Sequence, residues 1–190
     1  MKNNNPKGII LILIGMFIFS IQDSMMKYIY SSVSLYEVYL IRTFVSFTAI
    51  FLYLKITNKP IIFATQYPLL TLSRVILFFF GFSSFYISLT IMPLATATTL
   101  FFCSPFLITI FAKFILKEQI GPRRWSAVIV GFLGVYVVLN PDFSNFNYLS
   151  LTPVLCAFCY ALSMIIIKIT SARDNVYAQM FQFYIGATII

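Results

Sequence analysis

Residues 95–125 read A-T-A-T-T-L-F-F-C-S-P-F-L-I-T-I-F-A-K-F-I-L-K-E-Q-I-G-P-R-R-W, and this stretch decides the fold. From Leu94 to Leu116 the only charged side chain is Lys113, near the far end. At about 1.5 Å per residue such a run is long enough to cross the hydrocarbon core of a bilayer. A transmembrane helix is therefore expected. Pro105 lacks a backbone N–H and crowds the carbonyl of Phe101, which predicts a bend there, with Ser104 and neighbouring helices partly re-satisfying the freed group. Gly121 and Pro122 are expected to stop the helix. Lys117, Arg123 and Arg124 surround that stop, and a basic cluster in a short loop marks the cytoplasmic side.

The rest of the chain has the same character. Of 190 residues 61% are hydrophobic and 9% charged, with a mean hydropathy of +0.94, which excludes a water-soluble domain and predicts an all-α polytopic membrane protein. A net charge of +8 would suggest nucleic acid in a soluble protein. Here the basic residues fall between apolar spans, where they orient helices, so nucleic-acid binding is rejected. Cys156 and Cys159 form C-x-x-C inside an apolar run, and the chain contains no His. With Cys103 they read as packing residues rather than as metal ligands or a redox pair, and no metal or cofactor is expected.

About seven spans are expected in order. Gly8–Ile21 has the length of a signal-peptide core, but no small-x-small cleavage pattern follows and the helix continues through Gln22, Asp23 and Lys27, so it reads as an uncleaved first span. Further spans are expected over about 36–54, 70–91, 94–116, 125–139, 148–167 and from 176 onward, the last stopping as if truncated. With the amino terminus inside, Lys2, Lys7, Lys55, Lys59, Arg74, Lys113, Lys117, Arg123, Arg124, Lys168 and Arg173 fall on the cytoplasmic half, and only Lys27 and Arg42 on the other. Eleven against two orients the chain with its amino terminus in the cytoplasm.

A weak self-match appears at an offset of 141 residues, where Phe17–Ser20 face Phe158–Ala161, Lys27 faces Lys168 and Tyr36 faces Tyr177. A first copy over 8–140 then holds five spans, and a second copy begins at 148. An odd number of spans inserts the second copy upside down, which is a transporter signature.

A-T-A-T-T, S-P-F and L-K-E-Q-I-G-P-R-R-W resemble the EamA domain of the drug/metabolite transporter superfamily. F-S-I-Q-D-S-M-M-K (19–27) resembles that family's first helix, E-V-Y-L-I-R (37–42) its second, F-Y-I-S-L (85–89) its third and V-G-F-L-G-V-Y-V-V (130–138) its fifth. The resemblance implies two inverted five-helix repeats, ten helices when complete, around a cavity that carries small organic solutes. Within the family the sequence is most similar to bacterial uptake proteins for cofactor-type metabolites. Riboflavin is the first expectation, S-adenosylmethionine the alternative, and other members export amino acids. The expected setting is the bacterial inner membrane, with a small-molecule substrate, the lipid bilayer and a second copy of the chain, as a homodimer, for partners.

Intramembrane polar residues nominate the solute path. Asp23 and Lys27 stand four apart on the first helix, where an ion pair softens their burial, with Gln22 beside them. The bland reading of Lys27 is an interfacial anchor. Asp23 is the best-placed carboxylate for proton coupling in a chain without His. Arg42 lies more than a turn inside the second helix and should face a cavity or a partner such as Asp23, whereas Arg74 and Glu118 read as structural, the latter pairing with Lys117 or Arg124. Ser83, Ser84, Tyr86 and Ser88 make the third helix polar, and Thr98, Phe102, Pro105 and Thr109 follow a stripe of the fourth; solute lining and interhelical packing weigh evenly for both. Phe82, Phe85, Tyr86 and Phe102 could stack a flavin ring, and Asp23 could pair with a sulfonium. Ala127, Gly131 and Gly134 predict close helix packing in the fifth span. Intramembrane enzymes need a Ser with His, paired His ligands or a carboxylate cluster, none of which is present, so a carrier is favoured over an enzyme or a non-transporting subunit.

Overall fold

The computed structural model of the chain describes residues 5–29, 33–58, 65–139, 148–172 and 174–189. All regular structure among them is helical: α1 (Asn5–Ile29), α2 (Leu35–Ile56), α3 (Pro68–Ile91), α4 (Leu94–Phe101), α5 (Ser104–Phe114), α6 (Pro122–Leu139), α7 (Thr152–Thr170) and α8 (Val176–Ile189). A 3₁₀ turn at Tyr148–Leu151 leads into α7. The chain divides into two units, Met1–Ser34 and Leu35–Ile190, and each is described by itself. The first unit is α1, which contains the apolar span Gly8–Met26.

Five helical stretches among the described residues are long and apolar enough to cross a membrane: Gly8–Met26, Tyr36–Ile56, Pro68–Ile91, Leu94–Phe114 and Thr152–Thr170. The protein is an integral membrane protein. α6 and α8 occupy the expected fifth and seventh positions but are not among the five. The expected polar loop at 140–147, together with the side chains of Lys2, Lys7, Lys27, Lys59 and Arg173, lies outside the described residues.

Within the second unit, ends can be matched by contacts. The Asp174 carboxylate accepts hydrogen bonds from Thr65 Oγ1 (2.5 Å) and the Gln66 N–H (3.1 Å), which brings the entry to α3 against the α7–α8 turn. Glu118, after α5, pairs with Lys168 at the end of α7 and with Arg124 at the start of α6 (3.8 Å). Tyr53 near the end of α2 meets Tyr177 at the start of α8, ring centroids 6.4 Å apart. One end of the unit therefore carries Lys55, Lys117, Arg124 and Lys168, the asymmetry that the charge count anticipated, and successive helices run up and down from it. α2 and α8 are antiparallel, since Phe47 also meets Phe181 at 5.2 Å.

α3 is the spine. It packs on α7, with further contacts to α8 and α4. A Cβ on Gly81 would sit 3.2 Å from Cys159 Cβ, and one on Gly186 would sit 2.8 Å from Val75 Cγ2, so both glycines permit close helix approach. Cys156 and Cys159 are buried on this α3–α7 contact, as packing residues. The packing expected of Gly131 and Gly134 is not found: a Cβ on either would meet nothing within 4 Å. Ala127 is exposed as well, and the close small-residue contacts lie instead at the α3 crossings.

Hydroxyls that sequence alone leaves unplaced are largely satisfied within their own helices. Thr43 donates to Tyr39 O (2.9 Å), Thr98 to Leu94 O (2.9 Å), Thr109 to Pro105 O (2.8 Å) and Ser88 to Phe85 O (2.5 Å). Such back-bonding lets a polar side chain sit in a medium that offers no water.

The fourth span is two helices. Because Pro105 offers no N–H, the Phe101 carbonyl loses its helical partner. The turn tightens before it: the Phe102 N–H is shared between Thr98 O and Thr99 O, both 3.1 Å, and the Cys103 N–H reaches Leu100 O at 3.1 Å. α5 then restarts with Pro105 in its first turn, where the missing donor costs nothing. The expected stop at Gly121–Pro122 needs correction. α5 ends at Phe114, and Lys117 takes a left-handed conformation (φ 54°) that turns the Glu118 N–H back to Ala112 O, 3.2 Å away. Pro122 opens α6 instead, its fixed φ suiting a first helical position.

Candidate functional site

Arg42 and three aromatic residues converge where α2 meets the far half of α3. The Arg42 guanidinium lies 5.2 Å from the centroid of Phe82, and its Nη1 donates to Tyr86 Oη at 3.5 Å. Phe82 and Tyr86 are one turn apart on α3, their rings 4.2 Å apart, and both are buried. Tyr39, one turn before Arg42, packs edge-on against Phe82 and Phe79, each at 5.3 Å. The cluster forms because α2 places Tyr39 and Arg42 at helical spacing opposite an i, i+4 pair on α3.

Two features set it apart from ordinary packing. Among the described residues of the second unit no carboxylate lies within ion-pair distance of Arg42, since the pairs present there belong to Glu118. Arginine keeps its charge in any surroundings, and in a membrane span such a charge is costly without a partner. Tyr39 is fully buried at 0% exposure, yet its hydroxyl has no hydrogen-bond partner. A buried polar atom left in that state requires an explanation, and a ligand group is one.

The network continues away from Arg42. Phe85 meets Tyr86 at 5.8 Å and Phe101 of α4 at 5.9 Å, and Phe101 meets Tyr160 of α7 at 5.3 Å. Of the expected site residues, Arg42, Phe82, Phe85 and Tyr86 are thus brought together. Thr98 is half-buried and spends its hydroxyl on its own helix. Phe102 is 60% exposed and makes no ring contact among the described residues; the tightened turn presents Phe101 to the network in its place. Gln22 and Asp23 lie on α1, in the other unit, and the expected pairing of Asp23 with Lys27 involves a side chain outside the described residues.

Sequence reasoning missed Tyr39 and Asp174. Tyr39 lay inside the quoted E-V-Y-L-I-R but carries no charge to single it out. Asp174 is 8% exposed, and Gln179 beside it is tied in by Thr170 Oγ1 (3.2 Å) and by its own donation to Asp174 O (3.3 Å). Asn175 accepts from the Tyr177 N–H (3.0 Å), a side-chain N-cap for α8. Asp174 reads from sequence as one more charge in a basic loop, whereas it fastens two segments together.

Apolar membrane-length helices with an arginine set among buried aromatic rings define a helical membrane protein that carries a charge inside a span. The chain belongs to the EamA-like transporter family, whose pattern matches residues 6–140. It is 33% identical over 174 residues to an S-adenosylmethionine uptake transporter of Rickettsia prowazekii (strain Madrid E), covering 92% of this chain and 59% of that protein. Against the protein of the same description in Rickettsia felis the figures are 32% over 183 residues, 96% and 62%. A riboflavin transporter of Rhizobium johnstonii is 36% identical over 104 residues, covering 55% of this chain and 34% of that protein. The chain thus spans about three fifths of the length of the Rickettsia relatives. No solved structure matches it. Members of this family are transporters, not enzymes.

Proposed function

We propose that the protein is a carrier for a small organic metabolite that bears both a carboxylate and a flat ring, with S-adenosylmethionine uptake the favoured case. The observation that carries the reading is Arg42, a guanidinium held on Phe82 and Tyr86 with no acidic partner among the described residues of its own unit. Guanidinium pairs with carboxylate in a two-pronged geometry, and the surrounding rings suit an adenine face or a sulfonium cation. The Rickettsia relatives match along nearly the whole chain and the riboflavin transporter along about half, which favours the same solute.

Riboflavin remains the second reading, because the run of rings from Phe82 through Phe101 to Tyr160 suits a flavin. Residues 8–140 would form the first repeat and 148–190 the start of an inverted second one. The antiparallel run of α2 against α8, which the 141-residue offset pairs, supports that arrangement. The charge count supports a cytoplasmic amino terminus, and a bacterial inner membrane and a homodimer belong to the same proposal through the family resemblance.

The test is uptake of labelled S-adenosylmethionine and riboflavin into liposomes containing the full-length gene product. The expectation is saturable S-adenosylmethionine uptake, with Arg42→Gln raising KM about tenfold or more, as loss of a charged hydrogen bond implies. Riboflavin flux without S-adenosylmethionine flux would select the second reading. Flux of neither solute, nor of amino acids in the outward direction, would overturn the carrier.

A further inference from the structure

A second arginine stands at the other end of the same row of rings. Arg74, Phe78, Phe82 and Tyr86 recur every four residues and so form one i±4 ridge of α3. Contacts run without a gap along it: Arg74 lies 4.5 Å from the Phe183 centroid, Phe183 is 4.9 Å from Phe78, Phe78 is 6.1 Å from Phe82, and Phe82 bears Arg42. From residue 74 to residue 86 the helix rises about 18 Å. Midway stands Tyr39, its ring 6.3 Å from Phe78 and 5.3 Å from Phe82, with the buried hydroxyl that has no partner.

The plain alternative is that Arg74 anchors α3 at the membrane surface, its head reaching out to water or lipid phosphate. Its geometry argues otherwise. The guanidinium lies against Phe183, which is 7% exposed, and so is turned toward the α3–α8 contact. No carboxylate among the described residues of this unit lies within ion-pair distance, and Asp174, at the same end of the unit, is already engaged by Thr65 and Gln66. Arg74 is on the half of α3 that approaches the basic end of the unit, and Arg42 of α2 lies against Phe82 on the other half.

We propose that Arg74 is a second binding position for the carboxylate of the transported solute, reached from Arg42 along the aromatic ridge with the Tyr39 hydroxyl as the polar contact between them. This rests on the Arg42 reading and extends it to a path with two ends. A carrier must hold its solute while open to one side and again while open to the other; two equivalent cations on either side of an apolar, ring-lined stretch supply that. Rings carry the flat or cationic part of the solute without directional bonds, so it can slide while the carboxylate changes partner.

The test measures KM from each face separately, in right-side-out and inside-out membrane vesicles holding the full-length gene product, with S-adenosylmethionine and its decarboxylated analogue as probes. Arg74→Gln is expected to raise KM for S-adenosylmethionine by about tenfold to a hundredfold from the face that bears the basic loops, and by less than about twofold from the other. Arg42→Gln should do the reverse. The decarboxylated analogue should bind both variants as it binds the wild type, since the variant and the analogue remove the two halves of one contact. Arg74→Lys keeps the charge that an anchor needs but loses the two-pronged geometry, and should still raise KM on the basic face by several-fold. Wild-type kinetics from both faces in Arg74→Lys, or in a normally inserted Arg74→Gln, overturns the proposal while leaving Arg42 standing. If Arg42→Gln is also silent, the Arg42 reading falls with it.

Discussion

Replacing Asp174 with Ala should loosen the bundle at its basic end without touching the Arg42 cluster. The carboxylate is buried, accepts at 2.5 Å from Thr65 Oγ1 and at 3.1 Å from the Gln66 N–H, and so ties the residues before α3 to the α7–α8 turn. A hydrogen bond to a charged group is worth about 1.5–3 kcal/mol, and two give an upper bound near twice that. Gln66 is exposed and Thr65 half-buried, so both donors regain water in the variant, and a net loss of about 2 kcal/mol is the expected figure. For a chain of this size that lowers the melting temperature by about 4–8 °C. Thermal unfolding in detergent, followed by helical circular dichroism, measures it. The local bonds of the turn survive, because Gln179 Nε2 donates to the backbone carbonyl of residue 174 and not to its side chain. Thr65→Val combined with Asp174→Ala supplies a double-mutant cycle, in which a coupling of about 1 kcal/mol is expected. A melting temperature within about 1 °C of wild type, together with strict additivity, would refute the claim that this carboxylate fastens the two segments.

The two kinds of glycine should respond in opposite ways. Gly81→Val drives methyls into Cys159, whose Cβ already stands 3.2 Å from the position of an added Cβ, and should cost about 1–3 kcal/mol by overpacking. Gly131→Val meets open space and should change the melting temperature little, so equal effects of the two would reject the assignment of close packing to α3. Pro105→Ala returns a donor to the Phe101 carbonyl and lets α4 and α5 run on as one helix. Uptake should fall at normal membrane abundance as Phe101 turns from Phe85 and Tyr160, and wild-type uptake would deny the break any part in shaping the site.

Much of this was legible in the sequence. Apolar length located the helices to within a few residues, and Pro105 located the break at Phe101 because the missing N–H has only one carbonyl to orphan. Helix partners were another matter. In lipid the outside of a bundle is as apolar as its inside, so burial leaves no periodic signature, and small residues on α6 look the same in sequence as small residues on α3. The stripe through Phe102 departs from the ring contacts, which run through Phe101, because the tightened turn alters the angular phase that ideal helical spacing assumes. Arg42 was singled out because charge inside a span is rare, whereas the tyrosine beside it gave no such mark.

α3 also divides the unit into contacts of two sorts, and the division bears on how a carrier could move. Toward α7 it presents Gly81 against Cys159, a backbone-close contact in which a shift of a few tenths of an ångström creates a clash or a gap. At the ends of its aromatic ridge it presents Phe82 to Arg42 of α2 and Arg74 to Phe183 of α8, contacts that vary slowly with distance and angle. Tight steric contacts resist sliding and ring–cation contacts tolerate it. The α3–α7 pair, together with the α3–α8 crossing at Gly186 and Val75, is therefore the natural rigid element of the unit, and the part of the ridge that faces α2 is where rearrangement costs least. That α2-facing surface carries Arg42 and the partnerless Tyr39 hydroxyl, so these groups suited to holding a solute lie where the packing is most able to yield to one.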